Sequence, residues 1–157
     1  MAPDVTREPA RLEDQLCFAL YATSKAVTGA YRERLADVGL TYPQYLAMLA
    51  VWEREGRTVA ELGAALDLDS GTLSPLLKRL ERAGLVRRER SATDERVVRV
   101  RATPAGRVLE DRVRPIRAAV ESATGLTDAE FADLRRTLLR LRETISIPGG
   151  PGAPDPS

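Results

Sequence analysis

The stretch Asp67–Thr103, DLDSGTLSPLLKRLERAGLVRRERSATDERVVRVRAT, constrains this chain more than any other part of it. Leu73, Leu76, Leu77 and Leu80 recur at i, i+3, i+4 and i+7, which lines one face of a helix. At about 100° per residue, Gly71, Ser74, Pro75, Lys78 and Arg82 fall on the opposite face, flanked by Thr72 and Arg79. Ala83-Gly84 stops the helix, glycine being the usual residue just past a helix end. Two short β-branched runs follow, Leu85–Glu89 and Val97–Ala102, joined by the charged link Arg90–Arg96, which reads as a hairpin with a mobile tip. From Pro75 to Arg101 nine Lys/Arg stand against four acids, a local charge of +5 in a chain whose total is only +1. A helix with a short polar face followed by a cationic ribbon suits a major groove and its phosphate backbone. The pattern is that of a winged helix-turn-helix.

An isolated basic helix is as readily an ordinary solvated surface, so the preceding segments matter. Residues 1–11 are polar with two prolines and are expected to form a flexible N-terminal arm. From Leu12 the spacing Leu12, Leu16, Ala19/Leu20, Val27, Tyr31, Leu35 predicts a helix to about Asp37, roughly 38 Å long and too long for a small domain to bury alone. Thr41 with Gln44 has capping-box spacing and opens a second helix to about Glu55. Thr58 with Glu61 repeats the device and opens a short third helix, Val59–Leu66. A short helix, a tight turn and a basic-faced helix is helix-turn-helix spacing. After the hairpin, Thr103-Pro104 starts another helix, with Thr as cap and Pro at the first helical position. Thr127 with Glu130 opens the last one, and residues 147–157 read as a disordered tail.

The expected fold is therefore mainly α, a winged helix-turn-helix core in the order α-α-α-α-β-β-α-α, with room for one extra short strand beside the hairpin. Residues 12–146 form the domain, with a DNA-binding part at about 41–103. Helices at about 12–38 and 104–146 have apolar faces outside that part. Pairing with a second copy is the simplest cover, and a palindromic operator on double-stranded DNA favours the same homodimer.

Composition excludes several classes. Without any histidine, His-based metal sites, Ser-His triads and His general bases are all absent. The single cysteine, Cys17, rules out an internal disulfide and a Cys cluster, so neither cofactor nor metal is expected. The first twenty residues include Asp4, Arg7, Glu8, Arg11, Glu13 and Asp14, which is no signal-peptide core. No apolar run approaches the ~20 residues of a membrane span, so a cytoplasmic protein with no membrane partner is expected.

The segment GTLSPLLKRLERAGLVRRE and the wing DERVVRVRATPAG resemble the MarR family of bacterial regulators, over about Leu12 to Ile145. Upstream, QLCFALY and LTYPQY resemble OhrR, the organic-hydroperoxide-sensing branch of that family, in its one-cysteine form. The resemblance implies a transcriptional repressor released from its operator when an organic hydroperoxide oxidises Cys17. It further implies that Tyr31 and Tyr42 hydrogen-bond the sulfur, with Tyr21 in the same motif. For DNA, the candidates are Ser70, Thr72, Ser74, Pro75, Lys78, Arg79, Arg88, Asp94, Arg96 and Arg99. Arg96 would enter the minor groove while Asp94 orients the hairpin through a nearby arginine.

The residues themselves leave Cys17 open. A free cysteine among Leu16, Phe18, Ala19 and Leu20 is often a small buried hydrophobe. Tyr31 follows it by fourteen residues, nearly four whole turns, so the two share a face about 21 Å apart in a straight helix. A contact between them therefore needs a second subunit or a bend. As a sensor, Cys17 would attack peroxide as the thiolate and become a sulfenic acid. Without a second cysteine, that product meets a low-molecular-weight thiol, forms a sulfenamide or is over-oxidised. The competing reading is a MarR-type repressor released by a small phenolic or lipid ligand, with Cys17 structural. A thiol peroxidase is disfavoured: Asp14 stands where such an enzyme usually has Thr or Ser, and the basic hairpin would have no use. The chain is expected not to be an enzyme.

Overall fold

The computed structural model describes residues 11–145; the arm over residues 1–10 and the tail from residue 146 lie outside the described residues. Its helices are α1 (Leu16–Leu35), α2 (Tyr42–Glu53), α3 (Val59–Leu66), α4 (Ser70–Arg82), α5 (Pro104–Ala123) and α6 (Asp128–Ile145), with strands β1 (Val86–Arg90) and β2 (Val98–Ala102) between α4 and α5. Short 3₁₀ turns, Leu12–Asp14 and Ala36–Val38, flank α1. The order is the one the sequence implies.

Local chemistry sets most boundaries. Thr41 Oγ1 accepts from the Gln44 amide while Gln44 Oε1 accepts from the Thr41 amide, and Thr58 with Glu61 does the same. Each box satisfies two of the amides that a helix start leaves without partners. Thr103 caps α5 through the Gly106 amide, ahead of Pro104. Gly84 ends α4 at φ 71°, in the left-handed region that glycine enters without penalty.

The leucine stripe is the centre of the fold. Leu73, Leu76, Leu77 and Leu80 are all buried, against Tyr45, Met48 and Val51 of α2 and Leu62 of α3. Val86, Val100 and Ala102 close the core from the hairpin, whose strands pair antiparallel with Arg88 opposite Val100. Each such side chain stabilises the fold by roughly 1.5–3 kcal/mol relative to exposure. The extra strand is reduced to one bridge, Thr58 to Arg99, beside a 2.9 Å bond from the Val100 amide to the Arg57 carbonyl. Thr58 is already the cap of α3, so the chain turns helical before a second ladder bond can form.

One joint ties α5 to the hairpin base. Thr103 Oγ1 donates to the Gly84 carbonyl at 2.5 Å, the Thr103 amide to the Leu85 carbonyl at 3.0 Å, and Trp52 Nε1 to the Gly106 carbonyl at 3.0 Å. A Cβ at Gly106 would lie 2.1 Å from the Leu85 carbonyl oxygen, which is backbone and cannot step aside. Gly106→Ala is therefore expected to lower unfolding stability by about 3 kcal/mol, at the upper end of overpacking costs. Urea melts read by circular dichroism check this; an unchanged midpoint would mean that the joint is looser than it looks.

The first and last helices keep apolar side chains exposed. Leu16 and Tyr21 of α1 are about 60% exposed, and α6 buries no residue although it carries Leu134, Leu138 and Leu139. Among the described residues no helix is long and apolar enough to cross a membrane.

Candidate functional site

Two groups of side chains stand out, one on α4 and the hairpin and one on α1 and α2. In the first, Asp69 caps α4, its Oδ1 accepting from the Thr72 amide at 2.8 Å. These bonds hold the Asp69 carboxyl below its ordinary range, so it stays ionised at the positive end of the helix. The Thr72 hydroxyl is directed to the same carboxylate at 3.3 Å, which makes Thr72 part of the cap. Ser70 and Pro75 are exposed and Ser74 half-buried on the outward face. Pro75 lacks an amide, so the Gly71 carbonyl loses its helical donor at that face.

The cations fall into two sets. Arg88 grips Glu81 through Nε at 3.0 Å and Nη2 at 2.7 Å, and its amide donates to the other carboxylate oxygen at 3.2 Å. Glu81 is held below its ordinary pKa by this partner. Arg99 Nη1 donates to the Gly56 carbonyl at 2.9 Å. Both were expected to face DNA; within the chain both brace the hairpin, Arg88 to α4 and Arg99 to the turn after α2. Asp94 Oδ1 accepts from the backbone amide of Arg96 at 3.0 Å, so within the chain it holds the tip through the main chain of that arginine. Lys78, Arg79 and Arg96 are exposed and enter no ion pair among the described residues. Arg82 and Arg90 share that state. Sequence reasoning left them out of the candidate set, although the helical spacing already put Arg82 on the outward face with Lys78.

In the second group, Tyr31 of α1 packs against Tyr42 and Tyr45 of α2, with ring centroids 5.2 Å apart in both pairs. Burial pushes the Tyr31 and Tyr42 hydroxyls above their ordinary pKa of 10.0, with repulsion from neighbouring tyrosines adding to it. Both remain protonated donors across the physiological range. Cys17 is exposed on the first turn of α1, and no tyrosine of the same chain hydrogen-bonds it. Since α1 is continuous from Leu16 to Leu35, the fourteen-residue offset keeps Cys17 and Tyr31 about 21 Å apart within one chain. Tyr21 is exposed one turn after Cys17, with Lys25 Nζ 5.3 Å from its ring centroid. The structure thus brings Tyr31 and Tyr42 together, and leaves Cys17 and Tyr21 outside that cluster. It adds Tyr45, whose i+3 spacing from Tyr42 was the available clue.

The model of the family described as transcriptional regulator SarA/Rot matches residues 30–113. The organic hydroperoxide resistance transcriptional regulator of Bacillus subtilis is 42% identical over 86% of this chain and 92% of its own. The chain belongs to the MarR family of winged helix-turn-helix regulators, in the OhrR branch. The transcriptional regulator TtmR of Methylorubrum extorquens is 46% identical over 91% of this chain and 73% of its own length. Among solved structures, reduced AbfR bound to DNA superposes with a TM-score of 0.71 at 35% identity, over 86% of this chain and 92% of that one; AbfR is from Staphylococcus epidermidis. As a MarR-family member the chain is a DNA-binding transcriptional regulator, and α4 with the hairpin is its cationic surface.

Proposed function

We propose that this protein is a cytoplasmic, non-enzymatic repressor that binds a palindromic operator as a homodimer and leaves it when an organic hydroperoxide oxidises Cys17. The observation that carries the reading is the separation of Cys17 from protonated Tyr31 along unbroken α1, where Tyr42 of α2 packs on Tyr31, with apolar surface around Cys17 uncovered. A second copy laid against α1 and α6 covers that surface and supplies tyrosine donors to the sulfur across the interface. Tyr21, one turn from Cys17, is a further member of the site.

The chemistry is a two-electron exchange. The Cys17 thiolate attacks one peroxide oxygen, an S–O bond forms, the O–O bond breaks, and the alkoxide leaves and takes a proton to become the alcohol. Sulfur is oxidised to the sulfenic acid and the peroxide is reduced. A low-molecular-weight thiol then condenses with it, forming a disulfide and releasing water. The larger group disturbs the dimer and moves the two α4 helices off the roughly 34–36 Å spacing that successive major grooves require. Hydroperoxide titration of the operator complex, with mass spectrometry of Cys17 at each point, tests this: release must track oxidation of that residue.

On DNA, Ser70, Ser74 and Pro75 lie at the base edges, Lys78, Arg79 and Arg82 at phosphates, and Arg96 in the minor groove, with Arg90 near its rim. An arginine in a narrow groove responds to groove width more than to base edges. Arg96→Ala is expected to weaken operators about tenfold, most where the flanks are A·T. Fluorescence anisotropy with A·T- and G·C-flanked operators checks it, and equal loss on both would refute the width argument.

One feature favours a second reading. An open cleft of about 210 Å³ between α2 and α5 is lined by Leu49, Trp52 and Val113 with Arg114 and Arg117. Glu53 and Glu110 also line it and offset the two arginines, so its apolar wall suits a small phenolic ligand, and a salicylate-like ligand that lifts the protein from DNA, where hydroperoxide does not, would establish it.

A further inference from the structure

The hairpin carries a row of charges on the face turned away from the core. Val86, Arg88, Val100 and Ala102 share one face of the two strands, three of them buried, so Arg87, Glu89, Arg99 and Arg101 share the other. On that outer face cations and acids alternate from β1 to α5. Arg87 Nε meets Glu89 at 2.8 Å, Glu89 meets Arg101 Nε at 3.2 Å, Arg101 Nη1 meets Glu55 at 3.8 Å, and Glu55 meets Arg107 Nη1 at 3.4 Å. Arg101 thus joins a carboxylate of the hairpin to one in the turn after α2. The next residue of that turn, Gly56 at φ 74°, leaves space for the guanidinium, since a Cβ there would lie 3.2 Å from Arg101 Cζ. Arg99, two residues earlier on β2, grips the carbonyl of the same glycine at 2.9 Å. One strand therefore holds the turn at two points about 7 Å apart along it, which resists a rotation that a single attachment would allow.

We propose that Glu55, Arg101 and Glu89 are positioning residues that set the inclination of the hairpin, and so the depth at which Arg96 enters the minor groove. The inference rests on the reading of Arg96 as the minor-groove contact and names residues that act on DNA only through it. Arg101 is 38% exposed, with Glu55 at 39% and Glu89 at 44%, and a single pair that open to solvent counts for little. Here one arginine is shared by two acids, and Arg87 and Arg107 hold those acids from the far sides. A small restoring force is enough because the hairpin is a lever. Arg96 lies five residues from Arg101, up to about 17 Å at strand rise. A rotation of about 10° at the root then moves the tip by about 3 Å, half the roughly 6 Å width of the minor groove. The arginine in that groove responds to its narrowness, so the clamp acts on the preference for A·T flanks.

The test measures affinities of full-length, reduced protein for A·T- and G·C-flanked operators and takes their ratio. Neutralising acids near DNA strengthens binding through counterions, but that gain is the same for any sequence and cancels in the ratio. Glu55→Gln combined with Glu89→Gln is expected to lower the A·T preference about threefold, although the protein becomes more positive. In an Arg96→Ala background the same pair should leave the ratio where it stands, the signature of action through one partner. A parental ratio in the double variant overturns the proposal, as does a fall that recurs in full without Arg96. Should the double variant melt early, Arg101→Lys replaces it. That change keeps the charge but gives up the planar fork that spans both carboxylates. A lowered ratio at the parental salt slope supports the clamp, and a parental ratio overturns it. Arg96→Ala alone keeps the two readings apart. If it lowers the ratio and the clamp variants do not, Arg96 stands in the groove and the clamp falls; if it leaves the ratio parental, both fall together.

Discussion

Cys17→Ser is expected to bind operator DNA with parental affinity and to stay bound under organic hydroperoxide at every dose that leaves the rest of the protein intact. The substitution exchanges sulfur for oxygen at a site exposed in the single chain, so it opens no cavity in the protomer. Folding and DNA contacts, which lie on α4 and the hairpin, are untouched. A serine hydroxyl cannot climb the oxidation ladder, so the interface keeps its size and bonding. Tyr31→Phe and Tyr42→Phe should fall between parent and Cys17→Ser. Each removes a donor to a charged acceptor, a bond of about 1.5–3 kcal/mol, and so raises the peroxide dose for release without abolishing it. Gel-shift titration across the set reads both effects. A Cys17→Ser protein released at the parental dose would make the cysteine a packing residue and shift the weight to the α2–α5 cleft.

Legibility followed the range of the interaction. The helix starts at Tyr42, Val59 and Pro104 were readable because caps are bonds between residues three apart. So was the buried face of α4, since a leucine stripe reports its own orientation. Residue-by-residue roles on the hairpin were not. Arg88 and Arg99 look in sequence like Arg87 and Arg96, and only the fold sets Glu81 beside one and the Gly56 carbonyl beside the other. The same limit hid Tyr45, whose meaning comes from α1 lying across α2. The separation of Cys17 from Tyr31 could be read in advance, because it needs only the rise of a helix. The second chain proposed to bridge that separation would cover Leu16 of α1 and Leu134, Leu138 and Leu139 of α6, all of them exposed in the single chain.

Removal of both free cations in the middle of α4, Lys78→Ala with Arg79→Ala, is expected to abolish operator binding at physiological salt while leaving the fold intact. Neither side chain enters an ion pair or a hydrogen bond among the described residues, and both are exposed, so the protein loses no internal bond. Arg82 lies one turn further along α4, so the change also relieves repulsion between like charges and should not lower the melting temperature. In a dimer the double substitution deletes four phosphate contacts. Each contributes about 0.9 to the slope of log affinity against log salt, so the slope should become shallower by about 3 to 4. Carried from 1 M to ~0.15 M salt, four such terms amount to about a 10³-fold loss of affinity. Arg88→Ala provides the contrast. It breaks the grip on Glu81 and should destabilise the hairpin, with a smaller change in salt slope. Affinities measured across a salt series, alongside thermal melts, separate the two mechanisms. If the Lys78→Ala, Arg79→Ala protein kept the parental slope, the contacts would have to come from elsewhere on the surface, and α4 would not be the helix that meets the groove.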